Sequence, residues 1–597
     1  MSGISRRRFI AGATALAAGW GLSRELVGVA LSAPLRVVEV PTTLSQTIKM
    51  SSQTVRGSYR TLLAGPGEAY IPRFDCLGRA ASAGRQSTRR SLLYLAHLSD
   101  IHIIDAQAPA RMDAAQELAP DLLVDACRPQ DVLTVHVLAS MVESVTNAQT
   151  SPVTGAPLAA AFSTGDSADN MSNLETRWYI DALDGSTITA NSGAVGSYEG
   201  PQVWPEATYA YHPEDPSGDL YGAYGFPTLP GMLLAAVSAP VRSAGLPVPW
   251  FAVYGNHDST YMGTFAPDAS LRAWAVGGRK AATSDGLAVA WANGLASNAS
   301  ALQRMVNSVT QNFGLLPGIR RVTPDPARRL LQRTEFMEQH LDTPVNPGPV
   351  GHGFTQANVD SGETWWALDL NPFIRVFGLD TCNLVSGADG AVSKTQFDWL
   401  QGQLAKCQSE GKLAMVLSHH NSTTLENPAE PVFGAGGPLI HAEKFVAMLQ
   451  QYPACIAWIN GHTHINTIFA HRRPDGSGGF WEITTASCVD FPQQQQLIEL
   501  VDNRDGTMSI FVTALDHAAD PTWTTGNYSQ SGLASLSREL AANHWLENPA
   551  MSMGSPLDRN TELLLPAPFD LSTIPDELLE AEQMKATARL LANASQA

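Results

Sequence analysis

The sequence is poor in cysteine, and its cysteines are not paired in sequence. Six occur among 597 residues, and no two of them form a CxxC motif. This spacing excludes a disulfide-built scaffold, a zinc ribbon and a thioredoxin-type redox site, although one or two disulfide bridges are compatible with it. The six are Cys76, Cys127, Cys382, Cys407, Cys455 and Cys488.

Positive charge is also scarce. The chain has 38 Lys and Arg residues against 56 Asp and Glu residues, which gives a formal net charge of −18. An acidic protein repels phosphate backbones, and the sequence has no basic patch, so we expect no nucleic-acid partner. Because 44% of the residues are hydrophobic and 16% are charged, the composition predicts a packed globular protein and excludes a mainly disordered chain.

The N-terminus lacks a hydrophobic run long enough for a membrane span. The apolar run from Ile10 to Leu22 is shorter than the roughly 20 residues that cross a bilayer. Together with the string SRRRFI at 5–10, it resembles a twin-arginine signal peptide, a class selected by paired arginines and weak hydrophobicity. An amphipathic N-terminal helix is the alternative.

The resemblance implies a location. We expect residues 1–32 to be the signal, and the twin-arginine export machinery to carry the protein to the periplasm, the cell surface or the medium. The mature chain is expected to have no transmembrane span. Cleavage after Ser32 and retention of the signal as an anchor both stay open.

Short apolar runs predict buried strands, and each run ends in polar residues. In open α/β sheets, ligand sites form where the strands end. A helix is predicted from Thr395 to Cys407, because its apolar residues recur on one face. The fold class is therefore α/β. The five predicted strands are Ser91–Ser99, Leu158–Ser163, Val248–Tyr254, Leu413–Leu417 and Cys455–Ile459.

The strands suggest one main domain with two long insertions. Insertions of this length in a compact domain usually form lids or binding elaborations, so we expect them to select the substrate. The predicted parts are an N-terminal leader segment packed on the core (33–90), the main domain (91–520), insertions at about 172–247 and 259–366, and a C-terminal extension with a terminal helix (521–597).

The residues that follow the strands are oxygen or imidazole donors. A single Gly-His-x-His string is weak evidence for a metal site. Five donor-rich stretches at the ends of successive predicted strands are unusual and are stronger evidence. They are Asp100-Ile101-His102, Gly165-Asp166 with Asp169-Asn170, Gly255-Asn256-His257-Asp258, Ser418-His419-His420 and Gly461-His462-Thr463-His464.

This set resembles the calcineurin-like metallophosphoesterases, whose pattern is DxH, GDxxD, GNH[DE], a later His and GHxH. The resemblance covers about 91–514 and, with the N-terminal string, is greatest for the twin-arginine-exported bacterial branch. It implies a sandwich of two mixed β-sheets flanked by helices, with large insertions. It also implies a dinuclear metal centre.

Two metal positions follow from the resemblance. One would take Asp100, His102, Asp166 and His464; the other would take Asp166, Asn256, His419 and His462. On a strand, Asp100 and His102 would point to the same side, and Asp166 would bridge both cations through its two oxygens. Mixed oxygen and imidazole donors suit divalent or mixed-valence Mn, Fe or Zn better than Ca.

The implied reaction is hydrolysis of a phosphomonoester or phosphodiester by a metal-bridging hydroxide. His257 resembles the catalytic histidine of the family, which protonates the leaving oxygen or stabilises the developing charge. Its orienting partner is predicted to be Asp169, with Asp258 as the weaker alternative. At the lone-histidine position we favour His419 over His420, and we expect a structural role for Asp490.

Two departures from related enzymes narrow the substrate class. Purple acid phosphatases have an iron-binding Tyr where this chain has Asp169, so no purple colour is expected. The phosphoprotein phosphatases have a phosphate-gripping Arg where this chain has Asn170, which weakens a protein phosphatase interpretation.

Several alternatives stay open. The expected substrate is a small-molecule or lipid phosphoester, and an extracellular nucleotide phosphodiesterase or nucleotidase is the first alternative. Aromatic residues of the first insertion would line such a substrate or simply build a core. A non-catalytic metal-binding envelope protein is the second alternative. The oligomeric state stays open.

Overall fold

The structure is a computed structural model of the chain that describes residues 40–117, 123–284, 318–385, 387–428 and 438–594. The predicted signal, residues 1–32, lies outside the described residues, and so does part of the second predicted insertion. Among the described residues, no helix combines the length and the apolar character needed to cross a membrane.

The strands range from two to ten residues in length. In chain order they are β1 (Gln46–Met50), β2 (Leu62–Pro66), β3 (Ile71–Arg73), β4 (Arg90–Leu98), β5 (Ala160–Ser163), β6 (Thr187–Ile188), β7 (Val241–Arg242), β8 (Trp250–Ala252), β9 (Arg279–Ala281), β10 (Ile319–Arg321), β11 (Trp366–Asn371), β12 (Ile374–Gly378), β13 (Val392–Ser393), β14 (Leu413–Leu417), β15 (Leu439–Ile440), β16 (Cys455–Asn460), β17 (Thr467–Arg472), β18 (Gly479–Thr484), β19 (Gln494–Asp502), β20 (Thr507–Asp516) and β21 (Thr561–Pro566).

The α-helices lie mostly between strands. They are α1 (Arg85–Thr88), α2 (Thr134–Asn147), α3 (Asn173–Asp184), α4 (Leu220–Tyr224), α5 (Met232–Ser238), α6 (Asn256–Ser259), α7 (Ala269–Ala275), α8 (Arg333–Leu341), α9 (Gln356–Ser361), α10 (Lys394–Glu410), α11 (Ala442–Leu449), α12 (Gln530–Ala542), α13 (Pro549–Ser552) and α14 (Asp576–Ala594).

Two mixed β-sheets form the centre of the protein. A seven-stranded sheet has the order β3-β21-β20-β19-β4-β5-β8, and a six-stranded sheet has the order β11-β12-β14-β16-β18-β17. In the first sheet β4, β5 and β8 are parallel; in the second, β12, β14, β16 and β18 are parallel. The predicted α/β fold class with two mixed sheets flanked by helices is confirmed.

The alternation of β14 explains how the second sheet is covered on both faces. Met415 lies in the same hydrophobic cluster as Leu95 and Ile498 of the first sheet. The next residue, Val416, lies in a different cluster with Leu400 of α10. Because successive side chains of a strand point to opposite faces, one face packs on the first sheet and the other packs on helices.

Helix α10 forms where its sequence pattern predicts a helix. The Ser393 side chain accepts a hydrogen bond from the Gln396 N–H at the start, and Gly411 ends the helix with a φ of +67°. The face predicted to be apolar is buried, at Phe397, Leu400 and Leu404. Local capping and burial of one face therefore act together.

The segment predicted to be a C-terminal extension contributes a strand to the seven-stranded sheet. Strand β21, which lies within it, pairs antiparallel with β20 and parallel with β3 of the leader segment. Both predicted terminal segments therefore supply strands next to each other at one edge of the seven-stranded sheet.

Aromatic residues of the first insertion build a core. Tyr211, Tyr221 and Phe226 are buried, with ring centroids 5.0–5.7 Å apart. Tyr224 stacks on Trp545 at a centroid distance of 3.7 Å. Of the two interpretations of these aromatics, packing is the one that the contacts support.

All six cysteines are free thiols.

Candidate metal centre

Five stretches that follow strands meet at one end of the two sheets. Three of these strands, β4, β5 and β8, are neighbours in the first sheet, and β14 and β16 are neighbours in the second. Their carboxyl ends point to the same edge, which brings together donors that are far apart in the sequence. The predicted metal ligands at these ends are Asp100, His102, Asp166, Asn256, His419, His462 and His464.

A first group of donors consists of Asp100, His102 and His464, all buried. Nε2 of His464 lies 3.2 Å from Oδ1 of Asp100 and 3.2 Å from Nε2 of His102. This combination of one carboxylate and two imidazoles around a small volume is typical of a transition-metal site.

A second group lies beside the first. Nε2 of His419 is 3.1 Å from Oδ2 of Asp166 and 3.2 Å from Nδ1 of His462. The other ring nitrogen of His419, Nδ1, lies 2.8 Å from the carbonyl oxygen of Thr164. Donation from Nδ1 to that carbonyl makes Nε2 the lone-pair nitrogen that faces the group.

Asp166 lies between the two groups, although not in the predicted manner. Its Oδ2 is 3.1 Å from Nε2 of His419 and 3.6 Å from Nε2 of His102. Its Oδ1 instead accepts a hydrogen bond from the His257 N–H at 2.8 Å. The same oxygen therefore faces both groups, whereas one oxygen was predicted to face each.

Asn256 supplies an independent observation that favours a cation. Its Nδ2 donates to the carbonyl oxygen of Gly263 at 3.1 Å, while its buried Oδ1 has no hydrogen-bond partner. A buried carbonyl oxygen without a partner is costly, and metal coordination would satisfy it. The donor set as a whole combines carboxylate, amide and imidazole atoms, which fits Mn, Fe or Zn.

The backbone around these ligands has an unusual conformation. Asp100, His102, Asp166, His462 and His464 all have positive φ, between +46° and +71°. Strand β4 already ends at Leu98, so Asp100 and His102 converge through turns beyond the strand. The DxH spacing predicted that strand alternation would point both side chains to the same side. That prediction is wrong, because neither residue lies on the strand. Non-glycine residues adopt this region at an energetic cost, typically at functional sites.

Two motif glycines allow the chains to approach closely enough to form the site. A Cβ atom on Gly255 would lie 2.2 Å from Oδ1 of Asp166. A Cβ atom on Gly461 would lie 2.3 Å from Oδ2 of Asp100. Any side chain at either position would therefore displace a predicted ligand.

The protonation states of the predicted ligands differ. Burial by itself favours the neutral form of Asp100, but His464 and His419 lower its pKa to about 2. Burial lowers the pKa of His102 to about 4, so this imidazole is neutral at pH 7. Burial also disfavours charged His419, but Asp166 and Asp100 raise its pKa to about 9, so a cation competes with a proton there.

His257 lies at the open side of the site, where it and His462 are only partly buried. A ring nitrogen of His257 lies within 4.8 Å of donor atoms of both His102 and Asp166. Its Nδ1 is 2.5 Å from the main-chain oxygen of Asp169. The predicted partner is therefore adjacent, but the contact uses its carbonyl group. The Asp169 carboxylate contacts Nδ1 of His102 instead, at 3.1 Å.

The residues weighed as alternatives have structural contacts. Nδ1 of His420 is 2.8 Å from the hydroxyl of Thr381, and its Nε2 is 2.8 Å from the carbonyl oxygen of Ala388. With both nitrogens engaged, His420 is less suited to a cation than His419. Asp258 accepts hydrogen bonds from main-chain N–H groups, including that of Gly255, and so closes the turn that presents His257.

A layer of residues lies behind the ligands, and the sequence motifs do not indicate its arginines. Oδ2 of Asp490, for which a structural role is predicted, lies 2.6 Å from Nδ1 of His464. Two buried arginines, Arg111 and Arg128, contact the carboxylates of Asp169 and Asp490. No motif marks these arginines, because their contacts join distant parts of the chain.

No family model and no curated protein matches the chain. A dimetal phosphatase from Danio rerio is 10% identical, with a TM-score of 0.30, over 72% of this chain and 100% of that one. A purple acid phosphatase from yellow lupin (Lupinus luteus) seeds is 8% identical, with a TM-score of 0.27, over 76% of this chain and 54% of that one.

Proposed function

We propose that this chain is an exported phosphoesterase that uses two metal ions to hydrolyse a phosphomonoester or phosphodiester. The observation that supports this most directly is the convergence of donors from five stretches into two groups that share Asp166, with His257 at the open edge. Asp100, His102, Asp166 and His464 would hold one ion; Asp166, Asn256, His419 and His462 would hold the other.

Two bound cations would supply an activated water and neutralise the charge of the phosphoryl oxygens. The protein residues orient the reacting groups around them. Main-chain hydrogen bonds hold the ligands in position: the N–H of His462 donates to Asp100 at 2.9 Å, and the N–H of His257 donates to Asp166 at 2.8 Å. Such preorganisation lowers the reorganisation needed during the reaction.

His257 is the group that we assign to proton transfer. Its Nδ1 donates to the carbonyl oxygen of Asp169, which fixes the ring. When Nε2 is also protonated, the imidazolium can give that proton to the leaving oxygen. Its position at the open side of the site leaves the ring accessible to a substrate.

The test combines metal analysis with a substrate comparison. Protein purified after export should contain about two transition-metal ions per chain and hydrolyse p-nitrophenyl phosphate or bis(p-nitrophenyl) phosphate. Faster hydrolysis of the first compound would indicate a monoesterase, and faster hydrolysis of the second would indicate a diesterase. His257→Asn should lower turnover about 10²- to 10⁴-fold while both metals remain bound. Metal without turnover in the parent, over a broad panel including nucleotides and lipid phosphates, would favour the non-catalytic alternative.

Export is a separate part of the proposal, supported by the N-terminal sequence. Replacing Arg6 and Arg7 by Lys should retain the protein in the cytoplasm of a host with a twin-arginine system, because paired arginines select this route. Fractionation of the parent and the double variant measures this. Equal amounts of both outside the cytoplasm would contradict the proposed route.

A further inference from the structure

Behind the first group of ligands, one carboxylate and one arginine support His102. Oδ1 of Asp169 lies 3.1 Å from Nδ1 of His102, and Oδ2 of Asp169 accepts from Nε of Arg111 at 3.2 Å. The side chain of Arg111 is fully buried. It is therefore placed to hold the Asp169 carboxylate in one orientation.

A second carboxylate and arginine support His464 in the same way. Oδ2 of Asp490 lies 2.6 Å from Nδ1 of His464, and Oδ1 of Asp490 accepts from Nε of Arg128 at 2.7 Å. The side chain of Arg128 is also fully buried. Both histidines of the first group thus contact a carboxylate through Nδ1 and direct Nε2 towards the same volume.

Asp131 joins the two halves. Its Oδ2 accepts from Nη1 of Arg111 at 2.8 Å and from the main-chain N–H of Arg128 at 2.9 Å. The guanidinium groups of both arginines also donate to the carbonyl oxygen of Asp125, at 3.4 and 3.0 Å. The contacts therefore form a continuous buried chain from His102 to His464 that passes behind the candidate metal site.

We propose that Arg111, Arg128 and Asp131 are positioning residues for the first metal ion, an inference that rests on the proposed dinuclear function. A neutral imidazole has one ring proton. Donation of that proton from Nδ1 to Asp169 or Asp490 leaves the lone pair of Nε2 directed at the metal. The arginines keep both carboxylates in place, and Asp131 sets the separation of the arginines.

The arrangement predicts an effect confined to one metal position. Asp131 contacts the supports of His102 and His464, whereas the second group relies on His419, whose Nδ1 faces the carbonyl oxygen of Thr164. Loss of the Asp131 carboxyl group, whose Oδ2 accepts from both arginines, should therefore loosen the first site and leave the second almost unchanged. A purely structural role would instead lower stability without discriminating between the two sites.

Asp131→Asn is the test variant, and Glu562→Gln is its matched control. Glu562 is also a buried carboxylate that joins two arginines, since it accepts from Arg85 at 2.8 Å and from Arg89 at 3.1 Å. It belongs to a separate cluster in the seven-stranded sheet. Both substitutions replace one buried carboxyl group by an amide of nearly the same shape and weaken its contacts with arginine, so both should lower the melting temperature.

Two measurements distinguish the variants. Titration of metal-free protein with Mn²⁺ should show a 10- to 100-fold weaker affinity for one of two ions in Asp131→Asn, and parental affinities in Glu562→Gln. Long-range ¹H–¹⁵N NMR of the metal-free proteins should show that His102, which is neutral at pH 7, loses its uniform Nδ1–H tautomer in Asp131→Asn alone. Parental tautomers and parental affinities in Asp131→Asn would overturn the inference.

A second variant covers the case in which Asp131→Asn does not fold. Arg128→Lys keeps the positive charge but cannot hold both oxygens of Asp490 in a fixed plane, so it should show the same weakening at one site. Failure of the proposed function is recognised separately, as a parent protein that binds no Mn²⁺ or has no turnover. The tautomer measurement needs no metal and still decides the positioning role.

Discussion

Gly263 lies directly against the imidazole ring of His257. A Cβ atom on Gly263 would be 2.4 Å from Cδ2 and 2.5 Å from Nε2 of that ring, and 2.4 Å from Nδ2 of Asn256. Gly263 also has a φ of +67°. The residue at this position therefore controls the location of the proposed proton donor and of one proposed ligand.

Gly263→Ala is expected to lower kcat about 10- to 100-fold, because small displacements of a catalytic group have effects of this size. Steady-state kinetics on the preferred nitrophenyl ester measures the change. Gly196→Ala is the control: its φ is +74°, but no atom beyond Gly196 and its two chain neighbours lies within 4 Å of the added Cβ. Both variants incur a similar backbone penalty of about 1 kcal/mol. An equal kcat in the two would contradict the steric explanation.

The adjacent histidines are expected to differ in metal binding. His419→Ala should lose about one metal ion per chain, because Nε2 of His419 faces Asp166 and His462. His420→Ala should keep both ions and only lose stability, because His420 contacts Thr381 and Ala388. Metal analysis after dialysis measures this. The assignment fails if His420→Ala loses an ion and His419→Ala keeps both.

Metal removal should destabilise the protein. Without cations, Asp100 and Asp166 are two buried carboxylates with oxygen atoms within 4.8 Å of each other, an unfavourable arrangement that a bound cation would relieve. A ligand present at about 100 times its Kd adds about 2.7 kcal/mol to the free energy of unfolding. We therefore expect a chelator to lower the melting temperature and Mn²⁺ to restore it. His257→Asn should show the same shift, and a melting temperature insensitive to chelation would contradict a bound metal.

Stability should fall in mild acid partly because of His136 in α2. Burial lowers the pKa of His136 from 6.5 to about 4. Below pH 6.5 the unfolded chain therefore takes up a proton at His136 that the folded chain does not. The stability contributed by the neutral imidazole is complete above about pH 6.5 and is lost as the pH falls towards 4. From pH 7 to pH 5 the loss is about 2 kcal/mol.

His136→Leu should remove that component. Between pH 7 and pH 5 the free energy of unfolding decreases in both proteins. The decrease should be about 2 kcal/mol smaller in His136→Leu than in the parent. Urea unfolding in the presence of a chelator measures this without interference from metal binding. Met141→Leu, a buried change in the same helix, should retain the parental pH dependence. Identical pH dependence in parent and His136→Leu would contradict the assignment.

The strands that position the site were predictable because their signals are local. The apolar runs at Leu413–Leu417 and Cys455–Ile459 correspond to β14 and β16, with one added residue in β16. The run predicted as Val248–Tyr254 is shorter in the structure, where β8 covers Trp250–Ala252. The ends of a strand are set by its pairing with neighbouring strands, and the sequence pattern contains little information about that pairing.

The donor residues and their places after strands could be recognised from local patterns, because glycines and short polar strings follow apolar runs. Which donor atoms meet depends on the packing of the folded chain. It assigned the Asp169 carboxylate to His102 and brought Arg128 to Asp490, 362 residues away. Contacts of this kind depend on how two sheets pack, and no spacing along the chain encodes them.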